Sequence, residues 1–214
     1  MPGKLTQIPH ESASMKLYFS PNACSLASHI VLRELALPFE LIRVDNQTKT
    51  TANGDDFRHI NPKGYVAALQ LDNGEVLTEG AAILQFLADQ VPEAGLAPAN
   101  GSWERVRLQE WLNFVSSEIH GGLGVLFNSA IPQEVKALFK ATLFKRFAIL
   151  VQTLERQDYL QGERFSVADA YLYVVLRWAA FFDIDLQQWP ALAQFQQRVS
   201  TRPAVIAALA AENP

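Results

Sequence analysis

The sequence has a single cysteine, Cys24, in a chain of 214 residues. One cysteine cannot form a disulfide within the chain, which excludes the disulfide framework that stabilises many small secreted domains. We therefore expect a reducing compartment, the cytoplasm. Residues 1–14 have no apolar core of signal-peptide length, and we interpret them as an N-terminal tail, with Met15 beginning the fold.

Long hydrophobic runs and basic clusters are also missing. No segment approaches the roughly 18 consecutive apolar residues that a membrane-spanning helix needs. The 18 Lys and Arg residues form no continuous basic stretch and the net charge is −4, so neither a membrane nor nucleic acid is an expected partner. The four histidines show no metal-ligand spacing with one another or with Cys24, and we expect no metal.

The chain does have 49% hydrophobic residues, enough for a sizeable core, and its first part alternates strand and helix signals. The predicted segments begin with a strand at 16–20, a helix at 25–37 and a strand at 39–45. Asn73-Gly74 between two apolar runs predicts a β-hairpin, and residues 80–91 have the pattern of a closing helix. The predicted order is β-α-β-β-β-α.

A Pro-, Gly- and Ala-rich stretch at 92–102 is typical of a linker, and the chain beyond it has helical periodicity. The apolar residues of 168–182 recur every three or four positions, and Ser166 with Asp169 has the spacing of a helix capping box. We therefore predict an α+β protein with two domains, a mixed domain at 15–91 and an all-helical domain at 103–214.

Cys24 lies between the first predicted strand and the helix that follows it. A helix N-terminus favours a thiolate and can lower a cysteine pKa to roughly 3.5–7.5. The alternative is that Cys24 is a small buried hydrophobic residue, as many free cysteines are. Because residue 27 is alanine, no CxxC pair exists, and any disulfide of Cys24 must form with another molecule, such as a small thiol.

Two further stretches contain candidate site residues. Glu79 and Gly80 stand where a strand ends and a helix begins, so the pair suits the ammonium and carboxylate of an amino acid, although an ordinary helix start has the same pattern. Asn113, Ser117 and His120 fall on one arc of a predicted helix. A solvent-facing polar side would look the same, and His120 is the member best suited to proton chemistry.

These features occur in one order, and together they resemble the cytosolic glutathione transferases. The stretches "MKLYFSPNACSLASHIVLREL", "NPKGYVAALQLDNGEVLTEG" and "EWLNFVSSEIH" are similar to the bacterial beta class, and "FSVADAYL" is similar to the helix cap of the second domain. The resemblance covers the chain from Met15 to near its end. It implies a thioredoxin-like first domain and a helical second domain that binds substrate and forms a homodimer.

The resemblance also implies site residues. Cys24 and His120 would be catalytic, with Cys24 facing the glutathione sulfur. The implied glutathione-binding positions are Cys24, Lys49, Val66, Glu79, Gly80, Asn113, Glu118 and His120. Lys49 would reach the glycine carboxylate, the Val66 backbone would pair with the cysteinyl backbone, and Glu79 with Gly80 would hold the γ-glutamyl group. Asn113 and Glu118 would lie near the site, partly across the dimer interface.

Two positions depart from the family pattern. Ala67 stands where a proline with a cis peptide bond is normal, so the Val66-Ala67 bond is either cis or trans with a remodelled loop. Gly121 stands where many relatives have a lysine after the histidine, which leaves His120 alone to favour thiolate formation.

The predicted function is a glutathione transferase with glutathione as co-substrate. Its thiolate would attack electrophiles in a conjugation. Alternatively, disulfides and peroxides would be reduced through a Cys24-glutathione mixed disulfide. Ser25 would be the substitute hydroxyl donor for conjugation. The alternatives are a non-enzymatic binding protein and a carrier of apolar ligands on the same scaffold. Candidate contacts for an apolar electrophile are Leu126, Phe127, Trp178 and Phe182.

Overall fold

The computed structural model describes residues 15–213, so the predicted tail at 1–14 lies outside the described residues. A four-stranded mixed sheet forms the first part of the fold, with strand order β2-β1-β3-β4. The strands are β1 (Met15–Phe19), β2 (Phe39–Arg43), β3 (Ala68–Gln70) and β4 (Val76–Thr78). β1 pairs in parallel with β2, and β3 pairs antiparallel with β1 and β4. The predicted strand and helix order of this half is confirmed.

Helix α1 (Ser25–Glu34) connects the two parallel strands and ends earlier than predicted. Ala36 has a φ of 50°, a left-handed conformation that stops a helix, and the Leu37 N–H then bonds back to the Leu32 carbonyl at 3.1 Å. The predicted hairpin is present between β3 and β4. Its turn needs the φ of 85° at Gly74, which glycine adopts without strain.

The remaining elements are helical. They are α2 (Gly80–Gln90), α3 (Trp103–Phe114), α4 (Gly121–Gly124), α5 (Gln133–Leu154), α6 (Val167–Leu176), α7 (Pro190–Ser200) and α8 (Pro203–Glu212). A π-helical turn, Val115–His120, joins α3 to α4. No helix within residues 15–213 is long and apolar enough to cross a membrane.

Helix α6 is central to the core, since every one of its residues is buried. The capping pair predicted at its start is present, because the Ser166 N–H and hydroxyl donate to the Asp169 carboxylate at 2.9 and 2.6 Å. The Leu160 N–H donates to the second oxygen at 2.8 Å, which ties the preceding loop to the helix. Burial raises the pKa of Asp169 to about 6, although these three hydrogen bonds act in the opposite direction and lower it.

The helical periodicity predicted over 168–182 spans two elements of different type. α6 ends at Leu176, and residues Arg177–Phe182 form tighter 3₁₀ turns. In these turns the Trp178 indole N–H donates to the Asn22 carbonyl at 2.9 Å, and the segment ends at Asp183 in a left-handed conformation. This hydrogen bond joins the helical half to the loop that precedes Cys24.

A buried polar cluster joins α8 to α1. His29 Nδ1 lies 2.9 Å from the Glu212 carboxylate, and the Arg33 side chain donates to His29 Nε2 at 2.8 Å. Because α1 also packs against α2 and α6, its N-terminal end is held facing the helical half. This packing positions Cys24 at a junction between the sheet and the helices.

Candidate active site

A cavity of about 770 Å³ lies at this junction. The sheet-containing half contributes residues that include Cys24, Lys49, Lys63, Tyr65, Val66, Ala67, Glu79 and Gly80. The helical half contributes Ser116, His120, Gly121, Phe127, Tyr171, Trp178 and Phe181. The two sets face each other, so a molecule in the cavity touches both halves.

Cys24 is the residue that caps α1, and its thiol donates to the Val66 carbonyl at 3.4 Å. Burial raises the pKa of Cys24 to about 11, and the negative charge of Glu79 acts in the same direction. The N–H groups of the helix start and of Ala67 lower the pKa, but by less than burial raises it. A lowered pKa was one of the two predicted alternatives for Cys24, and the raised pKa contradicts it, so the ligand-free protein has a neutral thiol at this position.

The loop that faces Cys24 contains the Val66-Ala67 bond, which is cis, one of the two predicted alternatives. The Asn61 side-chain amide donates to the Tyr65 carbonyl at 2.7 Å and supports the loop. Val66 and Ala67 both line the cavity. The backbone of the loop therefore lies beside the sulfur, as the predicted role of Val66 requires.

Glu79 stands directly before α2 with a φ of 73° and lines the cavity together with Gly80. Its carboxylate forms an exposed ion pair with Lys63 at 2.5 Å, and Lys63 also donates to the Thr78 hydroxyl at 3.1 Å. A Cβ atom on Gly80 would lie 3.9 Å from the Tyr171 ring, so the start of α2 approaches α6 closely. Lys63 was not predicted, although it belongs to the quoted "NPKGYV" stretch.

Lys49 is the second cation at the cavity. Its backbone is left-handed, with a φ of 61°, and its ammonium lies 5.4 Å from the centre of the Tyr65 ring. This distance is within the range of a cation–π contact. Tyr65 is 70% exposed, so ring and ammonium together form an open rim of the cavity.

His120 faces Cys24 from the helical half. Its Nδ1 lies 2.6 Å from the Tyr171 hydroxyl oxygen, and its ring packs edge-on against Trp178 with centroids 4.9 Å apart. Burial lowers the pKa of His120, which the charge of Glu79 only partly opposes. The imidazole is therefore neutral at neutral pH.

Of the predicted arc of Asn113, Ser117 and His120, only His120 lies at the cavity, and the solvent-facing alternative holds for the other two. Ser116 and His120 line the cavity, whereas Asn113 and Ser117 are exposed and bond to carbonyls one turn back, at 2.9 and 3.0 Å. Ser116 and His120 both belong to the π-helical turn, in which the Gly121 N–H bonds to the Ser116 carbonyl five residues earlier.

Three residues with a predicted role in the glutathione chemistry, Asn113, Glu118 and Ser25, lie outside the cavity lining. The Glu118 carboxylate is bound to Arg146 at 2.6 Å. Ser25 is fully buried, and its hydroxyl bonds to the N–H and carbonyl of Ser20 at 3.3 and 3.4 Å. Ser25 is therefore engaged in the loop before α1 and is not placed to act as the predicted substitute donor.

Aromatic rings form the far wall of the cavity. Phe127, Trp178 and Phe181 line it, and Phe127 and Phe181 are 51% and 58% exposed. The predicted contact Leu126 is buried in the core, and Phe182 lies behind Phe127 with centroids 4.6 Å apart. Phe181 was not predicted, because the helical period of the apolar residues includes Trp178 and Phe182 but not Phe181.

The arrangement suits a thiol peptide and an apolar molecule bound side by side. Charged side chains and a loop backbone surround the sulfur on one wall, and rings cover the other. A thioredoxin-like sheet that carries a cysteine at a helix start, closed by a helical half, defines a class of thiol-dependent transferases. Within the described residues, no group of three His, Cys, Asp or Glu side chains could hold a metal ion.

Comparisons with known proteins identify the family. The model for "Glutathione S-transferase, N-terminal domain" matches residues 22–90, and that for "Glutathione S-transferase, C-terminal domain" matches residues 114–203. Glutathione S-transferase GstA of Escherichia coli O157:H7 is 46% identical over 93% of this chain and 99% of its own length. The chain belongs to the glutathione S-transferase family, and the predicted enzyme class is confirmed.

Solved structures agree with this assignment. A beta-class glutathione S-transferase of Sphingomonas chungbukensis is 44% identical, with a TM-score of 0.89 over 92% of this chain and 98% of that chain. A sphingomonad glutathione S-transferase complexed with glutathione is 48% identical, with the same TM-score and coverage. A more distant relative is the disulfide-bond oxidoreductase YfcG of E. coli, 29% identical over 90% of this chain and 93% of its own. The predicted resemblance to the beta class is confirmed.

Proposed function

We propose that this protein binds glutathione against the wall that contains Cys24 and transfers its sulfur to an apolar electrophile held against the aromatic wall. The observation that carries the proposal is the single cavity in which Cys24, His120 and the exposed rings meet. Glutathione is a co-substrate in this reaction. The glutathione-bound relative supports its choice as the thiol peptide.

The cavity offers a complementary group for each end of the tripeptide. The Glu79 carboxylate suits the γ-glutamyl ammonium, and the Lys49 ammonium suits the glycine carboxylate. The Val66 backbone suits the cysteinyl peptide groups, as an added strand would. This binding mode directs the glutathione sulfur toward Cys24 and His120. Lys63 competes for Glu79, because it already occupies the carboxylate.

In conjugation, the glutathione thiol loses its proton to solvent, and the thiolate forms a bond to the electrophilic carbon. A leaving group departs with the displaced electron pair, or an adjacent atom takes up a proton when the reaction is an addition. Cys24 is a neutral thiol in the free protein and is therefore a hydrogen-bond donor to that thiolate. The donated hydrogen bond stabilises the charged nucleophile.

A second activity, thiol transfer, is favoured by the placement of Cys24 in the cavity. In this reaction the Cys24 thiol first loses its proton to solvent, and the thiolate attacks the glutathione sulfur of a disulfide between glutathione and another thiol. A mixed disulfide of Cys24 with glutathione forms, and the other thiol leaves as a thiolate. A second glutathione thiolate then attacks the mixed disulfide, which returns Cys24 and releases oxidised glutathione. The name of the relative YfcG, a disulfide-bond oxidoreductase, supports this proposal.

The experiment that tests both activities is intact mass after incubation with oxidised glutathione, before and after a reductant. A reducible glutathione adduct on the wild type but not on Cys24→Ala supports thiol transfer. Retention on a glutathione column without an adduct leaves conjugation as the activity. A protein that flows through the column and conjugates no electrophile is a non-enzymatic scaffold, and competition with a fluorescent hydrophobe then tests the carrier alternative.

We further propose a cytoplasmic homodimer. The single cysteine suits a reducing compartment. Asn113 and Glu118 lie outside the cavity lining, and their proposed place is near the glutathione site of a partner protomer. Sedimentation of the intact protein measures the oligomeric state, and a monomer would remove both residues from the site. The division into domains at 15–91 and 103–214, with a linker at 92–102, belongs to the same proposal.

A further inference from the structure

The two ring nitrogens of His120 have different surroundings. Nδ1 lies 2.6 Å from the Tyr171 hydroxyl oxygen. Within residues 15–213, Nε2 has no hydrogen-bond partner, and it is not among the fully buried polar atoms. Because His120 lines the cavity, Nε2 is the ring nitrogen that a bound molecule can reach.

The proton positions follow from the neighbours of the Tyr171 phenol. Tyr171 is only 3% exposed, so its O–H needs an acceptor within the protein. Among the described residues, the short polar contact of its hydroxyl oxygen is with His120 Nδ1, at 2.6 Å. A phenol O–H is a good donor and a poor acceptor, whereas an unprotonated imidazole nitrogen is a good acceptor. This short contact is therefore best formed with the phenol O–H donated to His120 Nδ1. A neutral imidazole that accepts at Nδ1 carries its proton on Nε2.

The local charges keep both groups in these protonation states. Burial raises the pKa of Tyr171, and the nearby Cys24 and Glu79 raise it further, so the phenol stays protonated. Burial lowers the pKa of His120, and Glu79, which faces it from the start of α2, opposes this to a smaller extent. A protonated phenol and a neutral imidazole are therefore the pair present at neutral pH.

We infer that Tyr171 is a positioning residue that holds the proton of His120 on Nε2, so that His120 donates a hydrogen bond to a sulfur in the cavity and does not remove the thiol proton. The identity of that sulfur as glutathione rests on the proposed function, whereas the proton position does not. A neutral imidazole with its proton on Nε2 stabilises a thiolate and has no lone pair there to act as a base. The thiol proton therefore goes to solvent.

The test is the tautomer of His120 in the intact ligand-free protein, read from nitrogen–proton correlation spectra of histidine-labelled protein at neutral pH. The sequence has four histidines, and loss of one signal set in His120→Gln assigns it. We expect a protonated Nε2 and an unprotonated Nδ1. A protonated Nδ1 in the wild type would overturn the inference, whatever any variant does.

Tyr171→Phe removes the hydroxyl and keeps the ring. We expect a mixture of both tautomers and a raised pKa of His120, since the lost hydrogen bond favoured the neutral form. Tyr173→Phe is the matched control, because Tyr173 lies on the same helix, is 3% exposed and does not line the cavity. It should leave the spectrum of His120 unchanged. An unchanged His120 spectrum in Tyr171→Phe would overturn the positioning role.

Kinetics separate this inference from the proposed function. If the protein conjugates glutathione, Tyr171→Phe should lower kcat by about 3- to 10-fold with little change in the KM for glutathione, as expected for one lost hydrogen bond. Wild-type protein that shows the expected tautomer but neither binds nor transfers glutathione would contradict the proposed function alone. Active protein with the proton on Nδ1 would contradict the inference alone.

Discussion

The two walls of the cavity are built differently. The wall from the sheet-containing half consists of a thiol, a cis-peptide loop and two Lys residues with Glu79, most of them on loops and element ends. The wall from the helical half consists of rings and the His120–Tyr171 pair. One wall therefore recognises charge and backbone, and the other recognises apolar surface. If the proposed function holds, glutathione and the electrophile lie against different walls, and the binding of each can be perturbed separately.

The largest expected effect concerns the thiol. With its pKa raised from 9.0 to about 11, Cys24 should be alkylated by iodoacetamide at pH 7 roughly 100-fold more slowly than a cysteine in a peptide. The rate should rise about tenfold per pH unit up to about pH 11, because the thiolate fraction rises in that way. Intact mass over time measures it, with Cys24→Ala as the unlabelled control. An alkylation rate that stops rising below pH 8 would mean that the helix start lowers the pKa of Cys24 by more than burial raises it.

Glu79→Gln should act on one wall only. Loss of the carboxylate that suits the γ-glutamyl ammonium should raise the KM for glutathione by about 10- to 100-fold, the range for a hydrogen bond to a charged group. The KM for an aromatic electrophile should not change. Steady-state kinetics with each substrate varied in turn measure both, and Glu40→Gln, an exposed change outside the cavity, is the control. Equal changes in the KM for glutathione and the KM for the electrophile would show that the two walls do not bind separate substrates.

Phe127→Ala should act on the opposite wall. Because Phe127 is 51% exposed and lines the cavity, truncation should raise the KM for an aromatic electrophile by about 5-fold and leave the KM for glutathione unchanged. Ile206→Ala, at a 56% exposed position on α8, is the matched control. The same kinetic series measures it, and a larger effect on glutathione would show that the walls are not independent.

The smallest expected effect concerns the Lys63–Glu79 pair. Lys63→Met frees the carboxylate for the γ-glutamyl ammonium, and the KM for glutathione should fall by about 2- to 5-fold, as expected for an exposed ion pair. Lys145→Met, at an exposed position on α5, should leave the KM unchanged. A higher KM in Lys63→Met would show that Lys63 itself contacts glutathione.

Features set by residues close in sequence were predictable. The Asn73-Gly74 hairpin, the Ser166–Asp169 cap and the position of Cys24 at a helix start each depend on a few neighbouring residues. Their hydrogen bonds form within a turn, where residue type determines the geometry. The sequence alone was therefore sufficient to place the sulfur at the start of α1.

Features set by distant contacts were not predictable. The pKa of Cys24 depends on its burial and on the backbone at Ala67, which opposes the effect of the helix start. Tyr171 appeared only as one apolar position of a helix, and its hydrogen bond to His120 spans 51 residues. The buried pair of His29 and Glu212 spans 183 residues, and no local pattern signalled it. Only packing brings these groups together.

The π-helical turn at Val115–His120 also bears on how such a site arises. A single inserted residue in an α-helix is commonly accommodated as a turn of this kind. If the same residues formed a regular α-helix instead, everything that follows would turn by about 100° around the helix axis. His120 would then leave the cavity although no side chain in the cavity had been substituted. In evolution and in design, the hydrogen-bond pattern of this turn is thus as decisive for the imidazole as the choice of histidine.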